Sequence, residues 1–400
     1  MTSLIEKEYH YNNDNRFASR KEIEDILTEQ VQLDDEFLDN SEMKEKFPIS
    51  NDAKNIRGLK GAIETFKEID KRKYDVTVNL SNVRDLLLTK IDNKLEIKFN
   101  IVSNEGRMLI PNAHSLYSAR KKFLDHFFAM NKFTLRAMDN EQLDIAQKTL
   151  AELQIKEQYF KNSGVFRFID TTENNKDKTY LRAIIGNGYK TIYNNAAIFY
   201  MSIVAISRLE GNYVLDWMKV TDSTIAISYM QKDKVPVAPG LYLTTGIMVE
   251  NSELGTDAGT FKVQFKISNK DGETTRFINY DEEIASINHG FTFAKIKANL
   301  NALLQFSSFQ DDIIRAVKRI KWNDTVNSEQ LNILTAEISH LRGNETADVR
   351  AKLLDEIDTY EQTKKAFSIL ELFSKFDKIV SNNSIKLVVE GKFYKWLKNL

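Results

Sequence analysis

With no cysteine and only five histidines in 400 residues, any catalysis by this chain must come from carboxylates, lysines, tyrosines or serines. The missing cysteines remove thiol nucleophiles, disulfides and thiolate metal sites together. His10, His114, His126, His289 and His340 form no HxxxH or HExxH pair, so a histidine-rich metal site is not expected, although carboxylates remain available for Mg²⁺. Asp281, Glu282 and Glu283 are consecutive and do not all project one way; they suit the N-terminal end of a helix dipole, as do Asp311 and Asp312. Glu250 and Glu253, with Asn251, are a conceivable metal pair, but no second acidic motif of recognisable spacing accompanies them. The expectation is a non-enzymatic protein with no catalytic residue, cofactor or metal.

Phosphate contact is the other chemistry these residue types allow. In FKVQFKIS, Lys262 and Lys266 alternate with Phe261, Val263, Phe265 and Ile267, which places the lysines on the wet face of a half-buried strand, and Arg276 continues that face across a hairpin. Further on, Arg315, Lys318, Arg319 and Lys321 oppose Ile313, Ile314, Val317 and Ile320 on a helix. Lys262, Lys266, Arg276, Arg315, Lys318 and Arg319 are the candidate nucleic-acid-binding residues, and the plainer reading of each set is a solvated face. The triplet Arg120, Lys121 and Lys122 is a smaller candidate of the same kind. Gly186 to Lys190 (GNGYK) lies between a strand and a helix, but without GxGxxG or GxxxxGK[ST] a plain connection is the better reading. Trp217 and Tyr229 suit core packing better than base stacking.

The elements that must position these side chains follow from periodicity. Strands are predicted at Tyr74–Leu80, Leu95–Val102, Val165–Asp170, Thr179–Gly186, Tyr213–Val220 and Thr224–Met230, then from Gly240 to Asn251, and finally in a hairpin turning at Asn269-Lys270-Asp271-Gly272. Helices are predicted at Arg20–Gln30, Ser81–Ile91, Ser115–Met130, Glu141–Phe160, Ala196–Leu209, Phe293–Phe306, Gln310–Trp322, Ser328–Leu341 and Thr346–Phe376, with a small strand and turn closing the chain. The helix at Ala196–Leu209 is apolar nearly all round and is expected to be buried.

The fold class is α+β, with a central antiparallel sheet, packed helices and a helical C-terminal region. Four regions are expected: an acidic arm over 1–56, an N-terminal region over 57–163, a central domain over 164–322 and C-terminal helices over 323–400. The arm carries 14 acidic against 7 basic residues, while 57–132 reverses the balance at 9 against 15. A net charge of -1 excludes binding to nucleic acid by bulk charge, so any such contact needs a local patch. The N-terminal MTSLIEKEYHYNNDNR has no signal-peptide core, and the apolar run Ala196–Ile206 is too short to span a bilayer; a cytoplasmic protein is expected.

The segments YLRAIIGNGYKTI, VLDWMKVTDSTIAISYM and GIMVENSELGTDAGTFKVQFKI give a further lead. The region from Tyr180 to Leu304 resembles an uncharacterised family of phage and plasmid-like proteins carried by prophages, phages and conjugative plasmids. The similarity centres on an "NSE-small-G" turn, here Asn251, Ser252, Glu253, Leu254 and Gly255; the polar turn NKDG replaces the Cys-x-Asn-Gly segment that often follows in that family. The resemblance implies a mobile-element protein made inside a bacterial host, with no catalytic residues to carry over. Two partners fit this expectation. One is DNA, with single-strand binding or annealing as the form of contact; the other is a host protein that the chain blocks or recruits. A virion component is a lesser third reading, and the C-terminal helices make a homo-oligomer a fair expectation.

Overall fold

The computed structural model describes residues 3–12, 14, 16–27, 40–156, 162–173, 176–186, 193–254, 258–270, 274–322, 324–363, 371–372, 375–376, 379–380 and 383–398; strand counts below refer to these. The fold is α+β, built on two sheets. Among the described residues no helix is long and apolar enough to cross a membrane.

The chain begins in one sheet, leaves it to build the second, and then returns. Strand β1 (Glu6–His10) lies antiparallel on Trp217–Thr221, far along the sequence. Helices α1 (Arg20–Glu24), α2 (Asn40–Lys46) and α3 (Leu59–Asp70) follow. Ile23, Ile26, Leu27, Met43 and Phe47 are buried in the main core, so the described part of the acidic segment is built into the fold and is not a free arm. Its charges stay outside because its apolar residues recur at helical spacing. Val31, expected on the same face, lies outside the described residues.

The second sheet is formed by β2 (Lys73–Asn79), β3 (Val83–Ile91), β4 (Lys94–Val102), β5 (Met108–Ser115), β6 (Ser163–Glu173) and β7 (Lys176–Gly186), in the order β2-β6-β7-β5-β4-β3. One face packs beneath α4 (Ala119–Phe128), α5 (Asn131–Asp139) and α6 (Leu143–Gln154) around Phe99, Phe123, Phe127 and Phe166. Two expectations are corrected here. Ser81–Ile91 is largely strand: Leu86 and Leu88 reach the core, and Asp92 and Asn93, both at positive φ, make the two-residue turn that pairs β3 with β4. The boundary expected at 163/164 falls at the first residues of β6, whose partner β2 lies in the preceding region.

The buried helix α7 (Asn195–Ile206) returns the chain to the first sheet, and every residue in it is shielded, as its all-round apolar sequence requires. Strands β8 (Tyr213–Thr221), β9 (Thr224–Gln231), β10 (Val235–Ala238), β11 (Leu241–Ser252), β12 (Gly259–Ser268) and β13 (Thr274–Ile287) complete a seven-stranded sheet of order β1-β8-β9-β11-β12-β13, with β10 on β11. The hairpin expected between β12 and β13 is present, although Asp271 and Gly272 of its turn lie outside the described residues. Asp281–Glu283 lie within β13 rather than at a helix start, and the side chains of Asp281 and Glu282 are outside the described set.

This sheet is strongly curled. At a strand spacing of ~4.8 Å, β8 and β12 lie three steps or ~14 Å apart in a flat sheet. Yet Lys266 on β12 meets Asp216 on β8 at 2.6 Å, and Arg276 on β13, one step further out, sits 5.1 Å from the Trp217 ring centre. Those side chains could not span a flat sheet. Gly246 allows one tight approach, since a Cβ there would stand 2.1 Å from the backbone oxygen of Tyr229.

Helices α8 (Phe293–Leu300), α9 (Phe306–Arg319), α10 (Ser328–Ser339), α11 (Ala347–Thr363) and α12 (Asn383–Lys398) end the chain. The tail expected as strand and turn is helix α12: Ile385, Val389, Phe393 and Trp396 recur at spacings of three and four and join the main core. Asp311 and Asp312 fall inside α9, which starts at Phe306 rather than Gln310.

Candidate functional site

The six basic candidates do not form one surface. Lys262, Lys266 and Arg276 lie on the concave side of the curled sheet, each facing a carboxylate. Lys262 bonds Glu250 at 2.6 Å, Lys266 bonds Asp216 at 2.6 Å, and Arg276 bonds Glu390 of α12 at 2.9 Å. The expected wet face is closed: Lys262 is only 9% exposed, and Gln264 is fully buried and donates to Ser228. Curling turned this face inward, where Trp217, Met248, Ile278 and Leu387 form a small apolar cluster.

Arg315, Lys318 and Arg319 are exposed on α9. That helix packs through Phe306, Ile313 and Val317 into the core on the other, convex side, together with Phe261, Val263, Phe265 and Ile267, and its Gln310 donates to Thr245 at 2.6 Å. Arg315 is paired with Asp312 one turn earlier. Of the smaller triplet, Arg120 donates to the Leu95 carbonyl and Lys122 to that of Leu254, leaving Lys121 exposed.

The densest polar constellation lies elsewhere, where the two sheets meet. Glu253, at the C-terminal end of β11, is 1% exposed, and so are Lys73 on β2, Arg167 on β6, Arg182 on β7 and Asp70 at the end of α3. One carboxylate oxygen of Glu253 accepts from Arg182 at 2.7 Å and from Lys73 at 3.2 Å; the other accepts the backbone N–H of Asn195, first residue of α7, at 2.8 Å. A carboxylate at a helix N-terminus meets unsatisfied donors and the positive end of the dipole. Arg167 donates to Asp75 at 2.9 Å and to the Glu253 carbonyl at 3.0 Å, and Lys73 stands 3.7 Å from Asp70.

A second buried acid extends the joint. Asp222, in the β8–β9 turn, accepts from the Tyr117 hydroxyl at 2.5 Å and from the Leu4 N–H at 3.0 Å, while Arg182 donates to its carbonyl at 2.5 Å. The cluster therefore ties β1, α3, α7 and both sheets together. Burial alone would push the Glu253 carboxyl up, but Lys73, Arg182, Arg167 and the Asn195 N–H outweigh it and hold the group well below the usual carboxylate range. For Arg167 burial also opposes the charge, and Asp75 and Glu253 keep it ionised. With both oxygens engaged by donors, Glu253 is a fixed anion that fastens the sheets.

The metal pair considered from sequence is divided: Glu250 turns to Lys262 in the concave face and Glu253 to the joint. Among the described residues no group of three or more His, Asp or Glu side chains could hold a metal ion. Residues 187–190 of the GNGYK segment and Gly255 of the Asn251 turn lie outside the described residues.

Sequence reasoning passed over the joint, though its signal was present. Arg167 inside VFRFI and Arg182 inside YLRAII are charges within otherwise buried strands, and charges in such positions need buried partners. The three segments that carry the phage and plasmid resemblance supply Arg182, Asp222, Asn251 and Glu253; the Asn251 side chain donates to Asn195 at 2.8 Å. Comparison of the chain with family models, curated proteins and solved structures gives no significant match.

Proposed function

We propose that this chain is a non-catalytic binding protein whose partner is another protein, acting inside a bacterial host as the product of a phage or other mobile element. The observation that carries the choice of a protein partner is the division of the six basic residues: three are neutralised inside a concave face, and three stand across the sheet on α9. A groove that tracks a phosphate backbone needs contiguous unpaired cations. The mobile-element origin rests on the resemblance of Tyr180–Leu304.

A second reading, DNA association, is favoured by the exposed last turn of α9, where Lys318 and Arg319 complement the negative end of the helix dipole and face solvent. Binding to fluorescent single- and double-stranded DNA at low and physiological salt separates the two. The protein-partner reading expects no binding at physiological salt and a host protein recovered in stoichiometric amount by pull-down. Tight binding that falls steeply with salt and disappears when Arg315, Lys318 and Arg319 are changed to Ala would replace it with the DNA reading.

A further inference from the structure

The uncovered half of the six-stranded sheet presents a surface of definite composition. The sheet's other face lies under α4–α6, and its β2-β6-β7 portion is engaged at the Glu253 joint. On β3 the alternation leaves Leu87 and Ile91, 46% and 45% exposed, on this face. Alongside them β4 contributes Lys94 and Lys98, and cross-strand pairing sets Leu87 beside Lys98 and Ile91 beside Lys94. Glu96, the acid between the lysines, is already bound to His114 at 2.9 Å. Among the described residues neither lysine has an ion-pair partner.

Two further features narrow the occupant. A strand cannot readily add to the outer edge of β3, because α6 occupies it: Gln147 accepts from the Leu88 N–H at 2.8 Å and donates to the Leu86 carbonyl at 2.7 Å, and Gln154 donates to Val83 at 2.8 Å. An occupant must lie across the face. The β3 flank is aliphatic, and Tyr180, on the same cross-strand row as Lys98 and His114, is buried, so the described face offers no exposed ring on which a base could stack.

We infer that this face docks an acidic amphipathic helix of the protein partner, with its apolar side chains on Leu87 and Ile91 and its carboxylates on Lys94 and Lys98. Leu87 and Ile91 are four residue steps apart along β3, ~13 Å. Two helical turns span ~11 Å, so apolar side chains seven or eight apart on a helix reach both. The inference deepens the protein-partner reading and rests on it.

The test uses the full chain and a synthetic helical peptide with leucines along one face and glutamates around the rest. A matched peptide with lysines for glutamates and a single-stranded oligonucleotide serve as competitors. The expected result is saturable binding of the glutamate peptide, weakened about tenfold or more in the Lys94→Glu/Lys98→Glu variant and by Leu87→Ser, with the lysine peptide gaining affinity for the charge-reversed protein. Circular dichroism of both variants checks the fold. No binding of the glutamate peptide, or equal binding to wild type and the reversed variant, overturns the inference. So does an oligonucleotide that binds through the same lysines. A host protein recovered equally well by wild type and reversed variant would overturn this surface while leaving the protein-partner reading intact.

Discussion

The joint around Glu253 and the concave face around Lys266 use the same chemical parts, lysines and arginines against carboxylates, in different surroundings. At the joint Glu253, Arg167 and Arg182 are sealed, and each is satisfied by two or more donors or acceptors. On the concave face Lys266 and Asp216 each keep about a quarter of the side chain exposed, whereas Lys262–Glu250 is more closed and Arg276–Glu390 is nearly sealed. Water can replace a lost partner at Lys266–Asp216 but not at the joint. Equal pairings therefore carry unequal consequences: removing one member of a buried set leaves a desolvated charge behind, whereas an open pair is backed by solvent.

The largest expected effect follows directly. Glu253→Ala leaves Lys73 and Arg182 buried without their shared carboxylate and should cost about 3–5 kcal/mol in urea unfolding. A cost under about 1 kcal/mol, similar to an open pair, would erase the distinction drawn between the two regions.

The acid limb sharpens the same comparison. Because the folded Glu253 carboxyl is held below its ordinary value of 4.5, its contribution is complete above that value and is lost as pH falls through and below it, where the unfolded chain takes up the proton first. Urea midpoints should drop more steeply below about pH 4.5 for the wild type than for Glu253→Gln. Parallel slopes would mean that the joint contributes nothing to acid sensitivity.

The smallest effect belongs to the concave face. A double-mutant cycle of Lys266→Met and Asp216→Asn should return a coupling of about 0.5–1.5 kcal/mol, larger than the ~0.3–0.5 of a solvated helix pair such as Arg315–Asp312 and well below the cost at Glu253. A coupling near zero would show that the pair closes the curled sheet without holding it.

Much of the architecture was legible in the sequence. Alternation located β2, β4, β6, β7, β8, β9, β11 and the β12–β13 hairpin, and the apolar α7 announced its own burial, because local periodicity reports which side of an element faces the core. The errors have local causes too. VRDLLLTKI has clustered leucines that suit either period, and only pairing with β4 and the Asp92–Asn93 turn settle it as strand. The tail SIKLVVEGKFYKWLKNL carries β-branched residues and a glycine, yet the helical recurrence of Ile385, Val389, Phe393 and Trp396 prevails once a core is there to receive it.

The candidate site was far less legible. Which residues are charged and which face of β12 carries Lys262 and Lys266 are properties of the sequence, fixed by residue type and a period of two. Whether that face meets solvent depends on the curl of the sheet, which brings Asp216 of β8 to Lys266, 50 positions later. The gathering of Lys73, Arg167, Arg182, Asp222 and Glu253 likewise depends on a second sheet inserted between α3 and α7. No local pattern encodes such meetings. The sequence determined the elements, their buried faces and the presence of charges inside strands; the tertiary structure decided which charges neutralise one another, because Coulomb and desolvation energies depend on distance and burial rather than on order along the chain.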